Sequence, residues 1–403
     1  MLIHILLAIF LGILAGVFTG LIPGIHVNLI SLLLISSAGY FLGFVSPLTL
    51  SVFIISMAVT HTFLDAIPSI FLGAPDAAMA LAVLPGHKLL LEGKGYEAVK
   101  LTVIGSLLSL ISVLLLIPLM IPFVPVVYSF IQPYIGYILI VVVVFMILKE
   151  TGINSKYWAL VLFLISGILG LIVLNISNLG NPLFHMLSGL FGLSTLIISL
   201  NQSSVIPKQW ISESIFIKKG EKVRAVSAAV FSGSLTALFP GLGAAQAAVI
   251  GMQIVGKISE YAFMVLIGGI NTVNFVFSLV TLYALQKARN GAVVAVLDVM
   301  KIIDLTQLII LLLSTLIAGC IAAFLALKIS KFFANHISKI NYKVLCFSII
   351  ILIAAISFIF GRFLGVFILF VSTAIGLIAP LVGVKRSNAM GCLLLPVILY
   401  FIL

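Results

Sequence analysis

Acidic residues are nearly missing from this sequence. Ten Asp and Glu are spread over 403 residues, and the first of them is Asp65. Charged residues of both signs make up only 8% of the chain, against about 25% in soluble domains. A water-facing globule is therefore excluded, because nothing would cover its apolar surface. The scarcity of carboxylates also rules out a clustered array of them. HExxH and GxSxG are absent too, so an intramembrane enzyme would have to rely on His61 and Asp65, at i and i+4 on one helical face. Cysteine is equally sparse. Cys320, Cys346 and Cys392 lie in separate apolar stretches with no CxxC spacing; they read as packing residues and say nothing about a redox compartment.

What is present is apolar: 63% of the residues are hydrophobic. Charge-free stretches over 101–148, 157–207, 305–327, 344–361 and 363–384 each hold at least one span, since a helix needs roughly 20 apolar residues to cross the hydrocarbon. About ten to twelve membrane elements are expected. The runs lack the polar alternation of an outer-membrane barrel, so the period is helical. Met1 opens directly on an apolar segment without a basic region or a cleavage site, so this stretch is expected to be retained. The net charge of +11 comes from basic residues placed singly or in small groups at the ends of apolar runs. That is the pattern of loop anchoring on the inner face of a cell membrane, and nucleic acid is not an expected partner.

Four pairs of similar segments recur in the same order: GLIPGIH (20–26) with ALFPGLG (237–243), THTFLDAIPS (60–69) with INTVNFVFS (270–278), FLISGILGLI (163–172) with LFVSTAIGLI (369–378), and SGLFGLSTLIISL (188–200) with NAMGCLLLPVILY (388–400). They predict a duplicated membrane protein, with a first repeat over 1–205, a basic cytoplasmic linker over 206–224 and a second repeat over 225–403. Loop charge orients the halves. The linker segment 207–224 carries five basic and two acidic residues, and 328–343 has four Lys and no acid, whereas the corresponding loop 122–133 has no charge. Basic KETGINSK (149–156) is matched by a corner near Arg362, and neutral NISNLGNP (175–182) by Lys385 and Arg386. Corresponding loops thus face opposite sides, which predicts inverted repeats; against this, Lys287, Arg289 and Lys301 fall outside as partners of the cytoplasmic segment 85–100.

The two Pro-Gly breaks need a reason. Irregular backbone at membrane depth is tolerated only inside protein or beside a wet cavity; the plainer alternative is a surface turn between ordinary spans. Residues 225–237 make only about 20 Å of helix, and the stretch after the break reaches Lys257 as quickly. Two re-entrant helical hairpins are predicted, entering from opposite faces with tips near mid-membrane. The helix after each break would aim its first unpaired amides at a ligand, an arrangement suited to an anion. Candidate substrate residues are Pro23, Gly24, His26 and Asn28 at one tip and Pro240, Gly241, Gly243 and Gln246 at the other. His61, Thr62, Asn271, Thr272 and Asn274 are candidates for the walls between them. Asp65 and Asp76 are candidates for coupling an ion, because ionisable groups at this depth are costly unless paired or hydrated. Each has a plainer reading: His61 as a satisfied core histidine, Thr62, Asn271 and Asn274 as interhelical glue, Asp76 as a helix cap.

The order of GLIPGIH, the polar Pro-broken segment APDAAMALAVLPGHKLLLEGKGYEAVKL and FPGLGAAQA resembles the TctA family, the large membrane subunit of tripartite tricarboxylate transporters. The resemblance covers most of the chain. Gly20, Pro23 and Gly24 fall on its first motif and Pro240, Gly241 and Gly243 on its second. His26 follows PGI where the family usually reads PGLG, and the chain is shorter than is typical. The resemblance implies Na+- or H+-driven uptake of a small di- or tricarboxylate by a multi-pass cell-membrane protein, with no other cofactor. It also implies two partners, a small membrane subunit and an extracytoplasmic binding protein. The same physics admits a polyprenyl-phosphate translocase, whose lipid phosphate would suit the same tips.

Overall fold

The structure is a computed structural model that describes residues 2–22, 43–74, 77–177, 179–201, 206–239, 242–288, 290–339 and 341–403. Among them there is no strand. The helices are α1 (Leu2–Leu21), α2 (Pro47–Leu64), α3 (Val83–Leu91), α4 (Gly95–Met120), α5 (Val124–Ile131), α6 (Ile135–Leu148), α7 (Ile153–Leu174), α8 (Pro182–Leu187), α9 (Ser194–Asn201), α10 (Lys219–Ala237), α11 (Ala244–Val255), α12 (Glu260–Leu285), α13 (Gly291–Met300), α14 (Leu305–Ile337), α15 (Tyr342–Val382) and α16 (Gly391–Ile402). Seven helical runs among the described residues are long and apolar enough to cross a membrane, so the chain is an all-α, multi-pass membrane protein. Local chemistry sets several starts. Ser46 caps α2 ahead of Pro47, Ser259 caps α12, Asn290 caps α13, and Asp304 with Gln307 closes a reciprocal box on α14.

Two of the runs exceed one crossing. Residues 95–148 are broken by tight turns at 121–123 and 132–134, where Pro122 and Pro133 remove backbone donors. The 41 residues of α15 would extend about 61 Å if straight. They bend instead at Arg362, which has φ 51° and ψ −143°, a conformation L-residues rarely adopt. That bend falls where the sequence pattern puts a corner.

α2 and α12 form the centre. Of their most apolar 18-residue stretches 83% and 89% is buried, against 28% for 95–148 and for α15. Each has a parallel companion. Gly12, Gly16 and Gly20 of α1 lie in turn against Phe53–Ser56, Met57–Thr60 and His61–Leu64 of α2, and a Cβ at any of them would come within 2.5–2.8 Å of a neighbouring atom. This small-residue stripe lets the two backbones approach. Along α12, Gly233 of α10 meets Val273 and Asn274, and Thr281 Oγ1 donates to Ala237 O at 3.2 Å. The two parallel pairs run in opposite directions. The exit of α2 reaches the entrance of α12, where a ring nitrogen of His87 lies 3.2 Å from Ile70 O and Lys88 bonds Glu260 at 2.6 Å. At the opposite end, Lys287 Nζ reaches the Tyr128 hydroxyl at 3.3 Å, inside the uncharged loop.

The linker docks on the entrance of α12. Gln209, 6% exposed, donates to Leu90 O and Pro207 O at 3.0 and 2.8 Å and accepts from Gly95 N at 2.8 Å, while Trp210 N donates to Gly93 O at 2.8 Å. Ser212 donates to Glu97, whose other oxygen accepts from the Tyr261 hydroxyl at 2.5 Å. Replacing Gln209 with Ala would orphan a buried amide and a carbonyl, a loss of about 2 kcal/mol. The expected result is faster hydrogen exchange at Gly95 and Trp210, by about tenfold or more, without loss of membrane insertion.

From the linker the chain goes out and returns. Glu221 near the start of α10 accepts from Ser259 N and Oγ at 3.2 and 2.5 Å, which holds its carboxyl below the usual range. Gly251 on α11 lies opposite Ser232 on α10. Residues 221–259 are thus a hairpin closed at the linker end. Its arms are unequal, however, with 19 residues in α10 and 12 in α11. The charged residues 219–224, assigned to the linker from sequence, are good helix formers and supply the first turns of α10. Ala237 therefore reaches the level of Thr281, past the midpoint of α12.

Behind this centre, two contacts are exchanged. Gly391 at the start of α16 lies against Phe163 and Ser166 of α7, and Gly170 against Cys392; Gly189 lies against Leu369 and Ser372 of α15, and Gly376 against Leu190. The pairing of 163–172 with 369–378 makes Phe163, Ser166 and Gly170 the counterparts of Leu369, Ser372 and Gly376. Each helix therefore grips the other half's glycine turn through the same three positions.

Candidate functional site

α2 and α12 cross where their polar residues fall. Asn271 is eleven residues past Glu260, about 17 Å into the helix, near the middle of a hydrocarbon layer roughly 30 Å thick. Asn271 Nδ2 donates to Asp65 Oδ2 at 2.7 Å and lies 3.3 Å from Thr62 O; the hydroxyls of Thr62 and Thr272 are 3.3 Å apart. Asp65 is 2% exposed and Thr272 is fully buried. Asp65 terminates α2: its N–H donates to His61 O at 3.0 Å and its carbonyl accepts from Ser69 Oγ at 2.7 Å, just before the π-type turn Pro68–Leu72. A carboxylate here has left the regular helix and rests on an amide from the other half of the chain. Thr62, Asp65, Asn271 and Thr272 are brought together as one buried polar bridge.

Asn274 belongs to a second group. Its amide donates to Thr236 Oγ1 at 2.9 Å and to Gly233 O at 3.4 Å. In the other half, a ring nitrogen of His61 lies 3.2 Å from Thr19 Oγ1. Thr19 Oγ1 donates to Gly16 O at 3.2 Å and Thr236 Oγ1 lies 3.3 Å from Gly233 O, with Ser232 O nearer at 2.9 Å. Thr19 thus stands to Gly16 and His61 as Thr236 stands to Gly233 and Asn274. The segments read GVFTGLIPG (16–24) and GSLTALFPG (233–241), a shared GxxTxxxPG. This signal lay in the sequence, but a comparison begun at Gly20 and Ala237 cuts off the Gly and the Thr. It also shifts a register: by its contact the counterpart of His61 is Asn274, three positions beyond Asn271.

At the start of α11, Gly243 N donates to Gln246 Oε1 at 3.0 Å and Gly243 O accepts from Ala247 N at 3.0 Å. Gln246, 6% exposed, closes the first turn of its own helix. Gly243 is extended, and among the described residues a Cβ there would meet only Gln246 Oε1, at 3.6 Å. Pro23, Gly24, His26, Asn28, Asp76, Pro240 and Gly241 lie outside the described residues.

A family model for the tripartite tricarboxylate transporter TctA family matches residues 6–391. An uncharacterised protein of Methanocaldococcus jannaschii is 33% identical over 359 residues, covering 87% of this chain and 88% of that protein. No solved structure matches.

Proposed function

The chain belongs to the tripartite tricarboxylate transporter TctA family, and on that premise we propose that it is a secondary active transporter moving a small di- or tricarboxylate by alternating access, coupled to Na+ or H+. The observation that carries this reading is the Asp65–Asn271 and Thr62–Thr272 bridge between two antiparallel, buried helices. An ionisable group at that depth costs several kcal/mol, and a cation-coupled carrier has a use for one there. In this reading the two GxxTxxxPG units are equivalent ends of inverted repeats, and the exchanged glycine contacts support the same two-fold relation. The anion sits between the helix starts that follow the breaks, with His61 and Asn274 fixing the threonine before each break. Asp65 carries the ion, and the elements rock around the bridge. The protein works as the large membrane subunit of a tripartite assembly, with a small membrane subunit and an extracytoplasmic binding protein, and performs no covalent chemistry.

The lipid-carrier reading has one observation of its own. An apolar groove of about 600 Å³ between α4, α5 and α10 is lined by Leu116, Phe231, Leu238 and Ser234, beside the second break. Proteoliposomes separate the readings. Gradient-driven uptake across a citrate and dicarboxylate panel is expected, with no flipping of polyprenyl phosphate; the reverse pattern overturns the proposal. In the same assay Thr19→Val and Thr236→Val are expected to raise KM by similar factors, about tenfold each. Loss at only one of the two would break the equivalence of the units.

A further inference from the structure

A second cavity, of about 910 Å³, opens at the linker end. Its walls come from the corner between α6 and α7, the returning end of α11, the entrance of α12 and the turn after α15. Lys149, Lys257, Lys385 and Arg386 line it, and the carboxylate among its lining residues, Glu260, is held by Lys88 at 2.6 Å. Glu150 beside the cavity is also committed, receiving Asn388 Nδ2 at 2.9 Å and lying 3.8 Å from Lys385 Nζ. Among the described residues no carboxylate pairs with Arg386 or Lys257. In a chain with so few acids this leaves a cleft in which four basic residues outnumber one lining carboxylate among apolar walls, which concentrates anions.

Arg386 gives the cleft a built recognition group. Its Nη1 donates to Thr195 Oγ1 at 2.5 Å, Ser194 Oγ at 3.0 Å and Phe191 O at 3.4 Å, so three partners fix the plane of the guanidinium. Those partners sit on the π-type turn Ser188–Leu193 and the start of α9. Its Nε is buried without a hydrogen-bond partner, as are Ser387 Oγ and Gln253 Oε1, and all three residues line the cavity. Ser387 is 6% exposed. A half-buried arginine anchored through Nη1 is held in place to meet a carboxylate with what remains of its guanidinium.

We propose that this cavity is a second carboxylate-binding station, separate from the α2–α12 bridge, through which the transported anion passes at the linker side of the membrane. The assignment of a transported anion rests on the function proposed above; the binding of a carboxylate rests on the cavity alone. The test uses the full chain with Cys320→Ala and Thr151→Cys, which puts a thiol on the cavity rim. Citrate, tricarballylate and succinate are each titrated as protectants against a charged thiosulfonate label. Protection is expected, with a half-protection concentration that rises about tenfold or more in Arg386→Gln and is unchanged in Asn274→Ala. If Arg386→Gln fails to fold, Lys257→Gln with Lys385→Gln tests the field of the cleft, with a smaller rise expected. Absence of protection by all three carboxylates, or identical protection in the variants, overturns the station. Protection without carboxylate uptake in proteoliposomes keeps the station and removes the transport reading; uptake without protection does the reverse.

Discussion

Asparagine at Asp65 is expected to stop gradient-driven uptake while the protein stays folded and inserted. The geometry separates these two outcomes. Asp65 Oδ2 accepts from Asn271 Nδ2 at 2.7 Å, and the amide oxygen of an asparagine accepts the same bond. The helix-ending contacts of residue 65 use its backbone, which the substitution leaves alone. The charge is removed, and one acceptor oxygen becomes an amide donor. If Asp65 holds a cation or a proton in one state of the cycle, losing that charge forfeits about 3 kcal/mol, or a fall of about 100-fold in the initial rate under a Na+ or H+ gradient. Substrate-for-substrate exchange at equal ion concentrations is expected to fall much less. Wild-type dependence on Na+ and pH in Asp65→Asn would make Asp65 a structural carboxylate and remove it from coupling.

Much of the fold was legible because membrane proteins write it in coarse terms. Missing charge marked the apolar runs; Lys287, at the Tyr128 end, runs against the loop-charge pattern. The corner at Arg362 was legible as a lone basic residue between two apolar runs. The site was legible in part. His61, Thr62, Asp65 and Asn271 were conspicuous because polar side chains at depth are expensive. Thr19 and Thr236 were not, because a threonine can satisfy its hydroxyl on its own helix, as both do here, and so carries little signal until a partner is seen. The register between His61 and Asn274 was hidden for a related reason. Sequence matching aligned identical letters, Thr62 with Thr272, whereas the contact depends on how far each helix lies from the threonine it holds. The first turns of α10 were hidden because lysine and glutamate, which read as linker, are also good helix formers.

The glycines explain how so polar a bridge stays tight, and they supply the second large expected effect. Gly105 of α4 faces the backbone of Val265 and Gly268 of α12 faces that of Thr102; a Cβ at either position would overlap the opposing carbonyl. Ser106 Oγ donates to Gly268 O at 2.9 Å across the same seam. Because the obstructing atoms are backbone, no rotamer change relieves the clash, and the helices must part along their length. Overpacking that side chains can absorb costs about 1–3 kcal/mol, and here it would also break the Ser106 bond and displace the face of α12 that carries Asn271. Gly105→Val is therefore expected to lose about 4 kcal/mol or more, seen as loss of monodisperse protein in detergent and a collapse of thermal stability. Gly220, with nothing within 4 Å of a built Cβ and a place in the first turn of α10, is the control. Gly220→Ala is expected to be neutral or to stabilise by up to about 1 kcal/mol. Equal behaviour of the two variants would mean that α4 and α12 do not touch backbone to backbone, and α12 would then have no fixed wall against which to hold Asn271 on Asp65.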